Sequence, residues 1–357
     1  MPQPLVTVGM AVCNAERFLA KAIESVLSQS LTDFEFVIVD YGSTDNSKTI
    51  ISHYAATDKR VEFREVPTCV LPVARNAACS QALGKYIAIM DADDVCLPDR
   101  LALEVDFMER HPEVGLIGGA VLWVDASDHP LRCQSHPIDD RGIKLAQLDH
   151  CAFWHPTVLF RKEAFTAVGG YRRAFVAAHD YDLELRISER YKCANLDQVV
   201  LKYRIHPEQI SMRKRQQQTL GILAAQRSAL MREKRQEDVL DSVDVLTPEL
   251  LTRLGVHESV YERQMLSQFR AWIQHMNSAG QSSVALETAL EVLRDNWVHA
   301  EEWQIADLCL TVADLYWKKR EFLESLRFAV RAIRVRPKVL GRPLRPWLQR
   351  IGLIHAD

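Results

Sequence analysis

The sequence predicts an α/β protein with a mostly parallel sheet, followed by an all-α domain. Three observations lead to this prediction. Between residues 5 and 124, apolar segments of strand length alternate with amphipathic helical segments, a pattern typical of parallel sheets. Polar turns follow several of these strands. After residue 211, glycine becomes sparse and the apolar periodicity becomes helical.

The elements are predicted in order along the chain. Strands are predicted at residues 5–12, 34–39, 61–66, 86–90 and 114–124, and helices at residues 18–28, 47–56 and 71–83. The polar segment 125–149 is rich in turn residues and is predicted to be a variable loop. An edge strand is predicted at residues 199–205, and a polar, largely basic connecting helix at residues 213–242.

Composition restricts the class of protein. The 357 residues suffice for about two domains, and 48% hydrophobic and 25% charged residues are ordinary for a folded soluble chain. A net charge of −3 excludes a globally basic nucleic-acid-binding protein. Eight scattered cysteines without a CxxC pair indicate reduced thiols. With no signal peptide and no membrane-spanning segment visible, we expect a cytoplasmic protein.

The segment that constrains function most is KYIAIMDADD, residues 85–94. Here an apolar strand meets three carboxylates, Asp91, Asp93 and Asp94. Carboxylates crowded at the end of a buried strand repel one another unless a cation lies between them. Such oxygen-rich clusters suit Mg²⁺ or Mn²⁺ held together with a diphosphate. The alternative is a turn in which Asp caps the next helix, but a cap needs only one or two acids.

Two further polar turns are predicted at the same edge of the sheet. The sequence VCN at residues 12–14 follows the first strand, and DYGS at residues 40–43 follows the second. Ligands of open α/β sheets bind at the carboxyl ends of the strands. The three turns together therefore predict a binding pocket.

Three segments resemble, in order, the nucleotide-sugar half of family 2 glycosyltransferases. They are VTVGMAVCNAERFLAKAIESVLSQS (6–30), FEFVIVDYGSTDNS (34–47) and ARNAACSQALGKYIAIMDADDVCLPDRL (74–101). The likeness extends from about residue 5 to residue 211. It implies the GT-A fold, a Rossmann-like sheet that binds a nucleotide sugar and Mn²⁺ or Mg²⁺. It also implies inverting transfer by a hexosyltransferase-type enzyme, in which a base deprotonates the acceptor hydroxyl while the nucleotide diphosphate leaves.

The resemblance also implies roles for individual residues. The nucleotide-sugar-binding residues it implies are Val12, Asn14, Glu16, Asp40, Tyr41, Arg75, Asp91 and Ala92. Asp91 and Asp93 of the DxD motif, with His206 of the closing YRIH segment, would hold the metal, which supplies positive charge beside a leaving diphosphate. Glu16 has an equal alternative as an acid in the first turn of a helix. The alternative for Arg75 is an arginine on a helix surface without a role in binding. The alternative for His206 is a structural histidine.

The resemblance further places the catalytic base at Asp180. The family usually has Glu-Asp where this chain has His179-Asp180, following GGY at residues 169–171. A helix N-terminus stabilises a carboxylate, so we expect Asp180 to be kept ionised and ready to accept a proton. Asp182, in the same turn, is the alternative base. His155 is a weaker candidate for a functional histidine.

Two positions depart from the family pattern. Cys13 stands where an aromatic residue often lies on the nucleobase, and Tyr41 stands where an aspartate is frequent. Tyr41 either supplies the missing ring or packs outward. Both UDP-sugar and dTDP-sugar donors therefore stay open.

We expect three regions: a GT-A domain at residues 1–211, a helical connector at 212–262, and a helical-hairpin domain resembling tetratricopeptide pairs at 263–357. The last is either a platform for protein partners or self-association, or a cap on the catalytic domain. Residues 327–350 hold eight basic and no acidic residues among apolar ones. Such a segment suits peripheral contact with an anionic membrane surface, with a solvated charged face as the alternative.

The expected function is metal-dependent, inverting transfer of a sugar from a nucleotide-diphosphate donor to a glycan or lipid-linked glycan. The alternative is a catalytically silent GT-A scaffold whose helical domain binds protein partners. The departures at Cys13, Tyr41 and His179 keep that alternative open. A nucleotidyltransferase would carry a glycine-rich basic loop after the first strand, and residues 13–16 are not one.

Overall fold

The structure is a computed structural model that describes residues 3–206, 214–295 and 297–337. The chain forms two compact units, one of Met1–Arg204 with Leu220–Pro248 and the other of Ile205–Thr219 with Glu249–Asp357. The predicted α/β class is confirmed, because the first unit is built on a sheet and the described part of the second is helical. The boundary expected at residue 211 and the basic segment from residue 338 onward lie outside the described residues.

Among the described residues, the first unit contains a nine-stranded sheet. The strands are β1 (Val6–Val12), β2 (Phe34–Asp40), β3 (Val61–Glu65), β4 (Tyr86–Met90), β5 (Val95–Cys96), β6 (Val114–Val124), β7 (Pro130–Gln134), β8 (Leu159–Arg161) and β9 (Lys192–Arg204). Their order is β3-β2-β1-β4-β8-β6-β9-β5, and β7 pairs with β6. The strands β1 to β4 are parallel, whereas β8 runs antiparallel to β4 and β6. The sheet is therefore parallel on one side of β4 and mixed on the other.

Helices cover the sheet and make up the C-terminal part. They are α1 (Leu19–Leu27), α2 (Ser47–Thr57), α3 (Leu71–Cys79), α4 (Arg100–Arg110), α5 (Asp140–Ala146), α6 (Lys162–Ala167), α7 (His179–Ser188), α8 (Arg215–Glu233), α9 (Pro248–Arg253), α10 (Glu258–Ser278), α11 (Ser282–Val292), α12 (Glu302–Lys318) and α13 (Phe322–Val335). In the second unit, α10 packs on α11 and α12 on α13. These are the two hairpins that the sequence predicts.

Two predictions about the second half of the sheet are wrong. The segment 125–149 is not a loop throughout, because it contains β7 and α5. Its polarity is explained by the exposure of β7, which pairs only with β6. The strand predicted at an edge begins earlier, at Lys192, and lies between β6 and β5. Its pairing with β6 depends on residues far away in sequence, which local periodicity cannot reveal.

A buried ion pair supports the carboxyl end of β4. The guanidinium of Arg100, on α4, donates from Nη2 to the carbonyl of Ile89 at 2.9 Å and from Nε to Glu104 at 3.0 Å. Both side chains are almost fully buried. Burial raises the pKa of Glu104 to about 7, although Arg100 opposes this shift. The loop that follows β4 is thereby anchored to α4.

We predict that Glu104→Leu lowers the free energy of unfolding by about 3–5 kcal/mol, because Arg100 would be left buried without a counter-ion. Chemical denaturation of the purified protein measures this change. The double variant Arg100→Met/Glu104→Leu should recover most of the loss, since no buried charge remains. A single variant as stable as the wild type would contradict this account.

Among the described residues, no helix has the length and apolar content needed to cross a membrane.

Candidate active site

The turns after β1 and β2 are joined by hydrogen bonds. The last residues of the two strands, Val12 and Asp40, are neighbours in register, and Tyr41 donates its backbone N–H to the Val12 carbonyl at 3.0 Å. Asn14 has a φ of 54°, and its side-chain oxygen accepts the backbone N–H of Thr44 at 2.8 Å. Val12 and Asn14 therefore fix the geometry of this edge.

Glu16 lies in the same pair of loops. Its carboxylate accepts two hydrogen bonds from Asn46, from the backbone at 2.9 Å and from the side chain at 2.8 Å. Because α1 begins at Leu19, Glu16 does not lie in its first turn. It holds the loops together, and its role toward a nucleotide stays a prediction.

Asp40 lies at the base of a cleft of about 480 Å³. The cleft is lined by Asp40, Gly42, Lys48, Glu65, Val66, Pro67, Thr68 and Cys69. One oxygen of the buried Asp40 carboxylate accepts the backbone N–H groups of Gly42 and Ser43, each at 3.1 Å. The other oxygen has no hydrogen-bond partner within the described part of the chain. Because such a buried acceptor is costly, the cleft suits a ligand with an N–H group.

Tyr41 points into the protein rather than outward. Its side chain is buried in a cluster against which Cys13 packs. Burial raises the pKa of Tyr41, and the nearby charges of Cys13, Asp91 and Asp93 add to this shift. The alternative in which Tyr41 packs outward is therefore wrong. Its ring lies on the side of Cys13, the position at which the family often has an aromatic residue.

The three acids after β4 come together. Ligand oxygens of Asp91, Asp93 and Asp94 lie within 4.8 Å of one another. Asp94 is buried and accepts the backbone N–H of Arg204 at 2.7 Å, while its second oxygen has no partner among the described residues. Burial, followed by the charges of Asp93 and Asp91, raises the pKa of Asp94 well above its ordinary value. A divalent cation fits this donor set.

Asp94 is the residue that the predicted metal set of Asp91, Asp93 and His206 leaves out. The sequence signal that could have identified Asp94 as a ligand is its place as the third acid of the DADD sequence. Ala92, which separates the first two acids, is nearly buried. His206 is buried and belongs to the second unit, so its role as a metal ligand stays a prediction.

Arg75 is buried beside this cluster, so the helix-surface alternative is wrong. Its Nη2 pairs with the Asp91 carboxylate, and its Nε donates to Nε2 of His179 at 3.0 Å. Within the described residues its Nη1 has no hydrogen-bond partner. A buried guanidinium with one uncommitted nitrogen can bind a phosphate oxygen.

His155 is held by structural contacts. Its Nδ1 lies 3.2 Å from Glu184, its Nε2 lies 3.0 Å from the hydroxyl of Tyr171, and its ring packs perpendicular to that of His179 at 5.5 Å. Burial lowers the pKa of His155 and raises that of Glu184. Since Nε2 of His179 accepts the Arg75 N–H, His179 carries its proton on Nδ1.

The two candidate bases on α7 have opposite environments. Asp180 is half-buried and accepts the backbone N–H of Tyr181 at 2.8 Å. Burial raises its pKa, although that N–H and Arg75 oppose the shift. Burial thus has a larger effect on this pKa than the helix N-terminus, and the expected role of Asp180 as an ionised base stays a prediction. Asp182 is fully buried and pairs with Arg172 and Arg186.

Comparisons with known proteins identify the family of this chain. The family model described as Glycosyl transferase family 2 matches residues 7–169. An uncharacterized glycosyltransferase of Methanocaldococcus jannaschii is 32% identical over 210 residues, covering 57% of this chain and 72% of that protein. The O-antigen biosynthesis glycosyltransferase WbnJ of Escherichia coli is 30% identical over 206 residues, covering 57% and 80%. The chain belongs to glycosyltransferase family 2, and it is a nucleotide-sugar-dependent glycosyltransferase.

A solved structure shows the same fold. The mannosyltransferase PcManGT from Pyrobaculum calidifontis, in complex with GDP-Man and Mn²⁺, superposes with a TM-score of 0.51 at 19% identity. The match covers 92% of this chain and 86% of that one. The predicted GT-A class is thereby confirmed.

We predict that Asp94→Asn weakens Mn²⁺-dependent binding of a nucleoside diphosphate without destabilising the metal-free protein. Because the raised pKa of Asp94 reflects a carboxylate that is disfavoured when ionised, its contribution to stability is greatest below its unfolded pKa and is lost as the pH rises. Asparagine does not ionise, so the variant avoids this loss of stability as the pH rises. Calorimetry with and without Mn²⁺, using Asp93→Ala for comparison, measures the binding. Unchanged metal-dependent affinity in both variants would contradict the assignment.

Proposed function

We propose that the enzyme transfers its sugar with inversion, in a single displacement for which Asp180 is the base. The environment of Asp180 carries this proposal. Its carboxylate lies within electrostatic range of Arg75 and Asp91, and it accepts a hydrogen bond from the adjacent backbone N–H. A carboxylate with a raised pKa is a better proton acceptor when ionised. It would take the proton of the acceptor hydroxyl as the nucleotide diphosphate leaves.

We further propose that Asp91, Asp93 and Asp94 hold Mn²⁺ or Mg²⁺, with His206 as a predicted additional ligand. The uncommitted oxygen of Asp94 and the closeness of the three carboxylates support this. The Mn²⁺ bound to PcManGT adds support from a protein of the same fold. When bound, the cation neutralises charge on the diphosphate. Arg75 would bind a phosphate oxygen through its uncommitted nitrogen.

The donor is proposed to be a UDP-sugar or dTDP-sugar. Asp40 offers one uncommitted buried oxygen, which suits the single ring N–H of uracil or thymine. Tyr41 would lie beside the base. For the acceptor, the O-antigen biosynthesis named for WbnJ supports a glycan or lipid-linked glycan. A screen of nucleotide sugars with the purified protein and Mn²⁺, scored by nucleotide release, tests activity and the silent-scaffold alternative together.

We predict that Asp180→Asn keeps donor affinity near wild type but reduces transfer by roughly 10²–10⁴-fold, the usual contribution of a general base. Asparagine preserves size and hydrogen bonding but cannot accept a proton. Initial rates with a verified acceptor, together with calorimetry of donor binding, measure both quantities. Normal turnover by the variant would exclude Asp180 as the base.

The matched control is Asp182→Asn. It removes a carboxylate two residues away that is already neutralised by Arg172 and Arg186, so it should cost stability more than chemistry. The wild-type rate should also fall on the acid side at a higher pH than an ordinary aspartate would give, because the pKa of Asp180 is raised. The reverse order of rate losses would favour Asp182.

We propose that α13 makes a peripheral contact with anionic membranes. Leu323, Leu326 and Val330 are exposed at helical spacing, whereas Ala329 and Ala332 are buried. The same helix carries Arg327, Arg331 and Arg334. An exposed apolar stripe flanked by arginines suits an anionic lipid surface. Protein partners or self-association remain the competing proposal for this surface.

We predict that Leu323→Asp/Leu326→Asp reduces sedimentation of the protein with vesicles containing phosphatidylglycerol. The two charges should oppose insertion of the apolar stripe. Leu145→Asp/Leu148→Asp provides a control with equally exposed leucines at another site. Equal sedimentation of all variants, or a loss of self-association instead, would reject the membrane contact.

A further inference from the structure

An aromatic cluster lies on the side of the active site opposite the nucleotide cleft. The half-buried ring of Trp154 is 5.7 Å from buried Trp123, 5.3 Å from Tyr203 and 5.0 Å from His136. Trp123 forms the floor, since it is 2% exposed. His150, which is exposed, extends the cluster 6.4 Å beyond His136. Large aromatic faces thus remain partly open above a closed floor.

This cluster borders the catalytic carboxylates on two sides. Tyr203 precedes Arg204, whose backbone N–H binds Asp94 at 2.7 Å and whose Nε binds the Asp93 carbonyl at 2.7 Å. Trp154 precedes His155, whose ring lies 5.5 Å from that of His179, the residue before Asp180. Tyr203 is therefore adjacent in sequence to the residue that binds the acid cluster, and Trp154 is linked to the base through the ring contact between His155 and His179.

The sheet order separates this cluster from the nucleotide cleft. Asp40 ends β2, on one side of β4, whereas Trp123 and Tyr203 belong to β6 and β9 on the other side. The acids that follow β4 lie between them. An acceptor must reach the donor from the side away from the leaving diphosphate. With the diphosphate bound at the acids as proposed, the aromatic cluster would lie on the side from which the acceptor comes.

We propose that Trp154, Tyr203 and His136 form a stacking platform for a pyranose ring of the acceptor, an assignment that rests on the proposed function. One face of many pyranoses presents C–H bonds, which pack well on aromatic rings, while the hydroxyls at the rim stay hydrated. His136 contributes as a neutral ring, since burial lowers its pKa to about 4. The substrate class is therefore a saccharide, and its ring is recognised next to the hydroxyl that reacts.

The first test measures binding without turnover. Saturation-transfer NMR is recorded for wild-type protein with Mg²⁺, UDP and a panel of methyl pyranosides of glucose, galactose, mannose and N-acetylglucosamine. At least one pyranoside should bind through the C–H protons of one ring face. Trp154→Leu and Tyr203→Leu should weaken its binding roughly tenfold, as expected for loss of an aromatic stack. Trp303→Leu, which removes an exposed tryptophan from the second unit, should not.

Trp154→Phe is the control for a leucine variant that fails to fold, because phenylalanine keeps an aromatic ring at this position. It should bind the same pyranoside within about twofold of wild type, and it should lose the change in tryptophan emission that the pyranoside causes in wild type. Absence of binding by wild type, equal binding by folded leucine variants, or an equal loss in the Phe and Leu variants would overturn the platform. A protein that binds pyranosides through Trp154 but releases no nucleotide from any donor would instead overturn the proposed function.

Discussion

The active site depends on charge balance at the carboxyl end of β4. Three carboxylates that repel one another, Asp91, Asp93 and Asp94, are gathered within 4.8 Å. Two arginines from other elements hold them there. Arg75 of α3 pairs with Asp91, and Arg204 at the end of β9 binds Asp94 and the Asp93 carbonyl. The fold therefore has to deliver residues from both sides of the sheet before the acids can form a site.

The sequence predicts the parallel half of this arrangement well and the rest less well. The strand predicted at 86–90 is observed as β4, because a short apolar run between breakers is a local signal. The roles of Arg204 and of β9 could not be predicted, since the Arg204–Asp94 contact spans 110 residues and the pairing of β9 with β6 spans about 80. The sequence shows that Asp94 is an acid. Only the structure shows that Arg204 binds one of its carboxylate oxygens and that the other is left without a partner among the described residues.

His179 shows how a departure from the family pattern is accommodated. A glutamate there would compete with Asp91 for the guanidinium of Arg75. The histidine instead accepts an N–H from Arg75 and packs on the ring of His155, whose Nδ1 lies 3.2 Å from Glu184. The guanidinium of Arg75 forms its ion pair with Asp91. Because this histidine accepts through an unprotonated nitrogen, the surroundings of Arg75 stay more positive than a glutamate would leave them.

The same helix turn makes two aspartates chemically different. Asp182 is fully buried and forms ion pairs with the guanidinium groups of Arg172 and Arg186. Asp180, two residues earlier, has only a backbone N–H as its nearest donor and has its pKa raised by burial. Residue type and position on the helix are nearly identical, so neither decides the role. The surrounding charges differ, and under the proposed mechanism they favour Asp180 over Asp182 as the base.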